Sequence, residues 1–326
     1  MLIPRFWAEA RLQNPPPPRQ ITVRRWGWSD ASQQEAQALA DQRAQDAMNR
    51  ILSGEDLRRR EPKAAYAGAD GVPIREEVVA RHDPVVITRN SYGSLCLNTP
   101  NVFFADVDTF WQPSLRLNPV GCLLILITGL FAGLWMKSWL IGFGICLGVP
   151  CLYSIIVHKV NQARRPAAEV KAKEQALAVI HSFASAHPSW HLRVYETPAG
   201  YRLLAMHEVF DPAGSPAKDA FDELKADKAF ANLCAVQGCF RARVSPKYWR
   251  MNYRPPVTLP KTKWPFPPED LPRRHQWVAA YDKHAVRYAS CRFLESLGSQ
   301  EVHPQADAVR ETHDVYCRAL EDLPLA

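Results

Sequence analysis

Apolar positions recur along this chain with several different spacings, and each spacing predicts its own kind of element. Residues 21–26, ITVRRW, read as a strand. From Ser32 to Leu52 the apolar positions Ala36, Ala40, Ala44, Met48 and Ile51 follow helical spacing, with Ser32 and Glu35 as a capping box and Gly54 as the stop. Two β-rich runs come next, residues 85–90 (VVITRN) and 102–108 (VFFADVD), joined by SYGSLCLNTPN. The pattern then changes character. Residues 119–157 form a block of 39 residues with a single charge, Lys137.

That block divides into two apolar runs, 119–136 and 139–157, of 18 and 19 residues. Each would measure roughly 27 Å as a helix, close to the thickness of a hydrocarbon core. A single helix over the whole block would be roughly 58 Å long, too long for a sensible tilt. A transmembrane hairpin turning at Lys137 and Ser138 is therefore expected. Arg116 precedes it, Lys159, Arg164 and Arg165 follow it, and only Lys137 lies in the turn, so both flanks and both termini are expected in the cytoplasm. A buried hairpin in a soluble core and a re-entrant hairpin are the alternatives. The start, MLIPRFWAEARLQN, carries Arg5, Glu9 and Arg11 and lacks the apolar centre of a signal peptide. With cytoplasmic flanks, the eight cysteines are expected as thiols.

Beyond the block, Pro166 is expected to open a helix to about Ala186. A hairpin follows, HLRVYET and YRLLAMHEVF around Pro198 and Gly200. A helix over 215–236, a strand CFRARV, a proline-rich stretch over 255–272 and helices over 272–297 and 304–320 complete the reading. The fold class is α+β, with a two-helix transmembrane hairpin inserted in or beside a mixed sheet. The expected divisions are 1–115, a Pro-rich spacer (Pro15 to Pro18), helix and strands; 116–160, the hairpin; 161–250, sharing a sheet with 85–110; and 251–326, the Pro-rich segment and closing helices.

Charge sharpens the picture in one place. The chain has 40 basic and 33 acidic side chains, a net charge of +7. Residues 240–274 hold Arg241, Arg243, Lys247, Arg250, Arg254, Lys261, Lys263, Arg273 and Arg274 against only Glu269 and Asp270, an excess as large as that of the whole chain. Phe240, Tyr248, Trp249, Tyr253, Trp264 and Phe266 interleave with them. Cations beside stacking rings, with Arg241, Arg243, Lys247, Trp249 and Arg250 as the main candidates, suit single-stranded nucleic acid. They also suit anionic lipid headgroups beside a bilayer, or a solvated connector.

Two further groups carry candidate chemistry. Asp106 and Asp108, two apart on a strand, project to one face and are candidate ligands for Mg²⁺, a hard cation that takes oxygen ligands. His313 and Cys317 lie one helical turn apart, with Cys291 and His284 as further candidates for a metal set, although a second close pair is missing. The chain shows no Gly-rich phosphate loop, no serine elbow and no HExxH.

The DVD strand, a helix and then VYETPAGYRLL resemble, in order and spacing, the primase-polymerase domains of the archaeo-eukaryotic type once the apolar block is set aside. The resemblance covers about 100 residues outside the block. It implies Mg²⁺ at Asp106 and Asp108 and a phosphate contact at Arg202, where that family places histidine. Two functional expectations follow. One is a non-enzymatic binding or scaffold domain, basic and anchored in the cell membrane. The other is a divergent primase-polymerase-like domain that binds nucleotide or nucleic acid with Mg²⁺.

Overall fold

Strands from both sides of the apolar block meet in shared sheets. The structure is a computed structural model and describes residues 1–15, 20–61, 72–109, 119–259 and 264–326. The chain divides into two compact units, one of residues 1–108 with 179–326 and one of residues 109–178. Among the described residues it is an α+β chain of seven α-helices and three small sheets.

In the first unit, β1 (Phe6–Asn14) and β2 (Ile21–Ser29) form an antiparallel pair, and α1 (Gln33–Leu52) lies against it. Ala36, Ala40 and Ala44 of the helix meet Ala8 and Ala10 of β1. The Ser32 hydroxyl caps α1 by accepting from the Glu35 N–H at 3.1 Å, but the Glu35 carboxylate accepts from the Ser29 hydroxyl at 2.7 Å rather than reaching back to Ser32. Half of the expected capping box is thus replaced by a tie to the end of β2.

The second sheet runs β3 (Glu77–His82), β4 (Val85–Arg89), β5 (Leu95–Thr99), β9 (Phe240–Arg243), all antiparallel. The third runs β10 (Arg292–Gly298), β7 (His191–Thr197), β8 (Gly200–Ala205), β6 (Phe104–Asp108). Each therefore combines strands from before and after the apolar block. The apolar face of residues 102–107, which no local partner could bury, is closed in this way. Phe103 sits in a ring cluster with Trp190, Phe210, Phe221 and Phe240 at centroid distances of 4.8 to 5.7 Å.

Several elements differ from expectation. The joining segment SYGSLCLNTPN contains β5, which fits between β4 and β9. The helix expected over 215–236 is two, α4 (Ser215–Glu223) and α5 (Lys228–Gln237), because Lys225 adopts a left-handed φ of 53° and Asp227 caps a new start. The helix expected over 272–297 ends early: α6 spans Leu271–Ala285, and Arg292–Gly298 leaves the helix to pair with β7. The last helix, α7, spans Pro304–Cys317. Most of the proline run at 15–18, together with Lys261 and Lys263, lies outside the described residues.

The apolar block forms α2 (Pro119–Trp135), a turn, and the start of α3 (Trp139–Ala186). Lys137 closes the turn with a φ of 49°. Pro166 does not open a new helix but lies inside α3, as Pro150 does. A proline removes one hydrogen bond, and the helix-forming residues around Pro166 carry the helix past it. Among the described residues one helix, α3 over Gly142–Ala186, is long and apolar enough by length and composition to cross a membrane, and α2, with 17 residues, is shorter. The expected pair of equal spans is corrected to one candidate span: α2 stops at Trp135, where Met136 enters the turn, and α3 runs on past the expected end to Ala186.

These two helices meet through small residues. A Cβ placed on Gly133 would stand 3.0 Å from Gly142 Cα, and one on Gly142 would stand 3.0 Å from Gly129 O. Cys146 continues the seam, its thiol directed at Leu126 O at 3.5 Å. Close backbone approach of this kind is how helices associate where water supplies no hydrophobic drive. Gly133→Leu should force the helices apart and lower stability by about 1–3 kcal/mol, the usual range for overpacking. Gly148→Leu, whose Cβ meets nothing within 4 Å, should be near neutral. Unfolding midpoints of the two variants in detergent micelles check this; equal midpoints would contradict the seam.

Candidate functional site

Antiparallel pairing places Asp106 of β6 directly opposite Arg202 of β8. The Arg202 guanidinium donates from Nε to Asp106 Oδ1 at 2.8 Å and from Nη2 to Oδ2 at 3.1 Å, a bidentate fork. Its remaining arm, Nη1, donates to the Arg243 backbone carbonyl at 2.7 Å. The Arg202 side chain is only 2% exposed, whereas that of Asp106 is 33% exposed. Burial opposes ionisation of Asp106, but the guanidinium overrides it and holds the carboxyl below its ordinary range. Burial likewise works against the charge on Arg202, and Asp106 outweighs it.

Around this pair lie most of the residues that the sequence singled out. The Asp108 carboxyl is raised by burial and by the neighbouring Asp106 charge, with Lys247 and Arg250 acting in the opposite sense. Burial, reinforced by Arg243 and Arg250, pushes Lys247 down to about 8. Burial and the Arg202 charge lower Arg243. Because Arg202 and Asp106 neutralise each other, Lys247 and Arg250 are left beside Asp108 and Asp227, with Arg243 next to Arg250. Arg243 Nη1 and Arg250 Nη1 are buried without a hydrogen-bond partner. A guanidinium N–H buried in this way has lost water without a replacement, which an oxyanion would supply.

Trp249 stands half exposed on the turn between Lys247 and Arg250, edge-on to Tyr92 at 5.8 Å and Tyr248 at 5.0 Å. Lys247 Nζ lies 5.6 Å from its ring centroid. Arg241 belongs elsewhere: it binds the Glu76 carboxylate at 2.6 and 2.8 Å. Arg274, expected among the solvated cations, is buried against Glu77 and the Phe266 ring. The reading of Asp106 and Asp108 as two free metal ligands meets a competing partner, since Arg202 holds both oxygens of Asp106.

A second constellation gathers behind Arg202. Cys291, just before β10, and His313 and Cys317 of α7 bring their ligand atoms within 4.8 Å of one another, and all three are 0% exposed. His284 does not join them and stacks on Tyr253 at 4.1 Å. The Ser290 N–H donates to the Cys317 carbonyl at 3.1 Å, which ties the two backbones together. His313 Nδ1 lies 3.0 Å from Asp314 Oδ1, and Arg193 holds the other Asp314 oxygen at 3.1 Å. Burial raises the Cys291 thiol. Burial also opposes ionisation of Cys317, yet its contacts with Cys291 and His313 hold it low. The helical spacing of His313 and Cys317 was visible in the sequence; the arrival of Cys291 required the β7–β10 pairing.

The chain matches no family model, no curated protein and no solved structure.

Replacing Asp106 by Asn should leave the Arg202 charge buried without its counter-ion. Breaking a fully buried pair costs about 3–5 kcal/mol, and the partial exposure of Asp106 reduces this to about 2–3 kcal/mol. Because the folded-state value of Asp106 is lowered, its contribution is complete above the unfolded carboxylate value of about 4 and is lost as pH falls through the folded value. Denaturant titrations should therefore separate wild type from Asp106→Asn at neutral pH and bring them together in acid. A pH-independent difference would show that the charge pair is not its source.

Proposed function

We propose that this is a membrane-anchored protein whose α+β unit binds phosphate-bearing anionic headgroups through Arg243, Lys247 and Arg250. The observation that carries the anchor is exposure. The apolar window of α3 is 6% buried, and Leu123, Ile127, Leu130, Phe131, Leu140 and Phe143 all face outward. An apolar surface of this extent, continued around both helices, calls for lipid. The shorter α2 enters with α3 because the glycine seam holds them together, with the turn at Lys137 and Ser138 on the far side and both termini in the cytoplasm. Residues 158–174 of α3, with five Lys or Arg against two Glu, support that orientation.

Labelling of Ser138→Cys in a background without native cysteines checks the topology. Modification from the outer face is expected; modification only from the cytoplasmic face would contradict a spanning hairpin.

The cation cluster supports the binding reading. Its three cations outnumber the two carboxylates beside them, Asp108 and Asp227, which complements a phosphate anion. The primase-polymerase-like reading, with Mg²⁺ at Asp106 and Asp108, has one supporting observation: Asp106 and Arg202 do meet on neighbouring strands. A cation there would have to displace the guanidinium from Asp106, so the binding reading is preferred.

Calorimetry with the full chain in neutral micelles tests both readings, using short-chain phosphatidic acid and a single-stranded oligonucleotide at several salt concentrations. Phosphatidic acid should bind with an affinity that falls with salt. It should also weaken as pH rises from 7 to 9, because Lys247 loses its proton near 8. Lys247→Arg should flatten that pH dependence, and Arg243→Gln should weaken binding. Binding indifferent to salt and to Arg243→Gln would overturn the assignment. Oligonucleotide binding that drops by about 1–3 kcal/mol in Trp249→Ala would favour the nucleic-acid reading.

A further inference from the structure

The buried group formed by Cys291, His313 and Cys317 takes no part in the phosphate site, and its chemistry is of another kind. Two thiols and an imidazole are soft or borderline donors, suited to thiophilic d10 metals and not to Mg²⁺. The three come from two elements far apart in sequence. They converge where Ser290 is tied to the end of α7 and where β10 is fastened by the Phe293 N–H to the Ala319 carbonyl at 2.8 Å. The donors are therefore held by backbone on both sides.

Spacing and support agree. Cys291 Sγ and His313 Nε2 stand 3.8 Å apart. Metal–sulfur and metal–nitrogen bonds of about 2.3 and 2.05 Å, opened by about 109–120°, separate such atoms by about 3.5–3.8 Å. Independently of that distance, His313 presents Nε2 to the sulfur because Nδ1 is engaged by Asp314 at 3.0 Å. Asp314 is itself anchored by Arg193 at 3.1 Å and by Arg310 at 3.6 Å. A carboxylate that fixes the tautomer and direction of an imidazole is the usual outer support of a metal-ligating histidine.

The same atoms could be read as a cysteine nucleophile with a His–Asp partner. Burial decides between the two. With all three residues at 0% exposure, no substrate carbon can reach either sulfur, whereas an ion needs only a transient opening. We infer that Cys291, His313 and Cys317 form a closed site for one thiophilic d10 metal ion, with Asp314 as its outer support. Binding leaves both sulfurs as thiolates and His313 Nε2 unprotonated, so the protons held by the Cys291 thiol and by the Cys317–His313 pair leave, and no electron transfer is involved. Three protein ligands in a dry cavity suit Cu⁺. Charge balance against two thiolates suits Zn²⁺.

The test uses the reduced full chain in detergent micelles, stripped of metal and offered one equivalent of Zn²⁺ or Cu⁺ against a competing chelator. One ion per chain, with a rise in the unfolding midpoint, is expected for one of the two metals and identifies it. Cobalt(II) should give a thiolate charge-transfer band. Cys317→Ser and Cys291→Ser should abolish stoichiometric binding and the band, while Cys239→Ser, a buried cysteine outside the group, should keep both. Asp314→Asn should still bind, about 10–100-fold more weakly, so the proposal stays testable even if a ligand variant fails to fold. Failure of wild type to take up either metal, or uptake unchanged in the cysteine variants, would overturn the site. Loss of phosphatidic acid binding alone would bear on the headgroup reading and not on this one.

Discussion

One guanidinium joins the two four-stranded sheets. Arg202 lies in the sheet containing β6 and β8, forks onto Asp106 of its neighbouring strand, and reaches the backbone carbonyl of Arg243 in the other sheet. A buried cation with all three arms engaged leaves little freedom to the strands that carry its partners. Its energetic worth against an apolar replacement is small, because desolvation offsets most of the attraction. What it supplies is register: shifting β6 by one residue would turn Asp106 away and leave the charge unpaired. Through the Arg243 carbonyl it also fixes the end of β9, the strand that leads into Lys247 and Arg250.

The chain tolerates a long apolar excursion between β6 and β7 because the sheets close without it. Sheet pairing depends on which edges meet, and β5–β9 and β6–β8 meet across the insertion as readily as local strands would. The excursion has a different internal logic. Over residues 119–157 its helices are apolar on all sides apart from the turn, and they touch through Gly129, Gly133 and Gly142, where backbone approach substitutes for the side-chain interlocking of a soluble core.

Much of the excess positive charge is used inside the fold. Arg241 is held by Glu76, Arg274 by Glu77, and Arg89 by Asp282 and the Gly93 carbonyl. Among the described residues around Asp108, the cations with few internal partners are Arg243, Lys247 and Arg250. A count of basic residues therefore overstates the binding surface, and Lys247 is lowered first by burial and then by its neighbours Arg243 and Arg250.

Local pattern alone determined α1, the β7–β8 hairpin, α7 and the extent of the apolar block, since each rests on spacing, caps or turn residues within a few positions. It also marked Asp106, Asp108, Arg202, Arg243 and Lys247, because charged side chains stand out against strand and turn patterns. Only the tertiary structure decided that Asp106 would face Arg202 and that Arg241 would face Glu76. It alone turned residues 292–298 into a strand and brought Cys291 beside His313 and Cys317. In each of these cases the deciding partner lies more than 20 residues away, and the free energy that selects the conformation comes from pairing across that distance, which no local window contains.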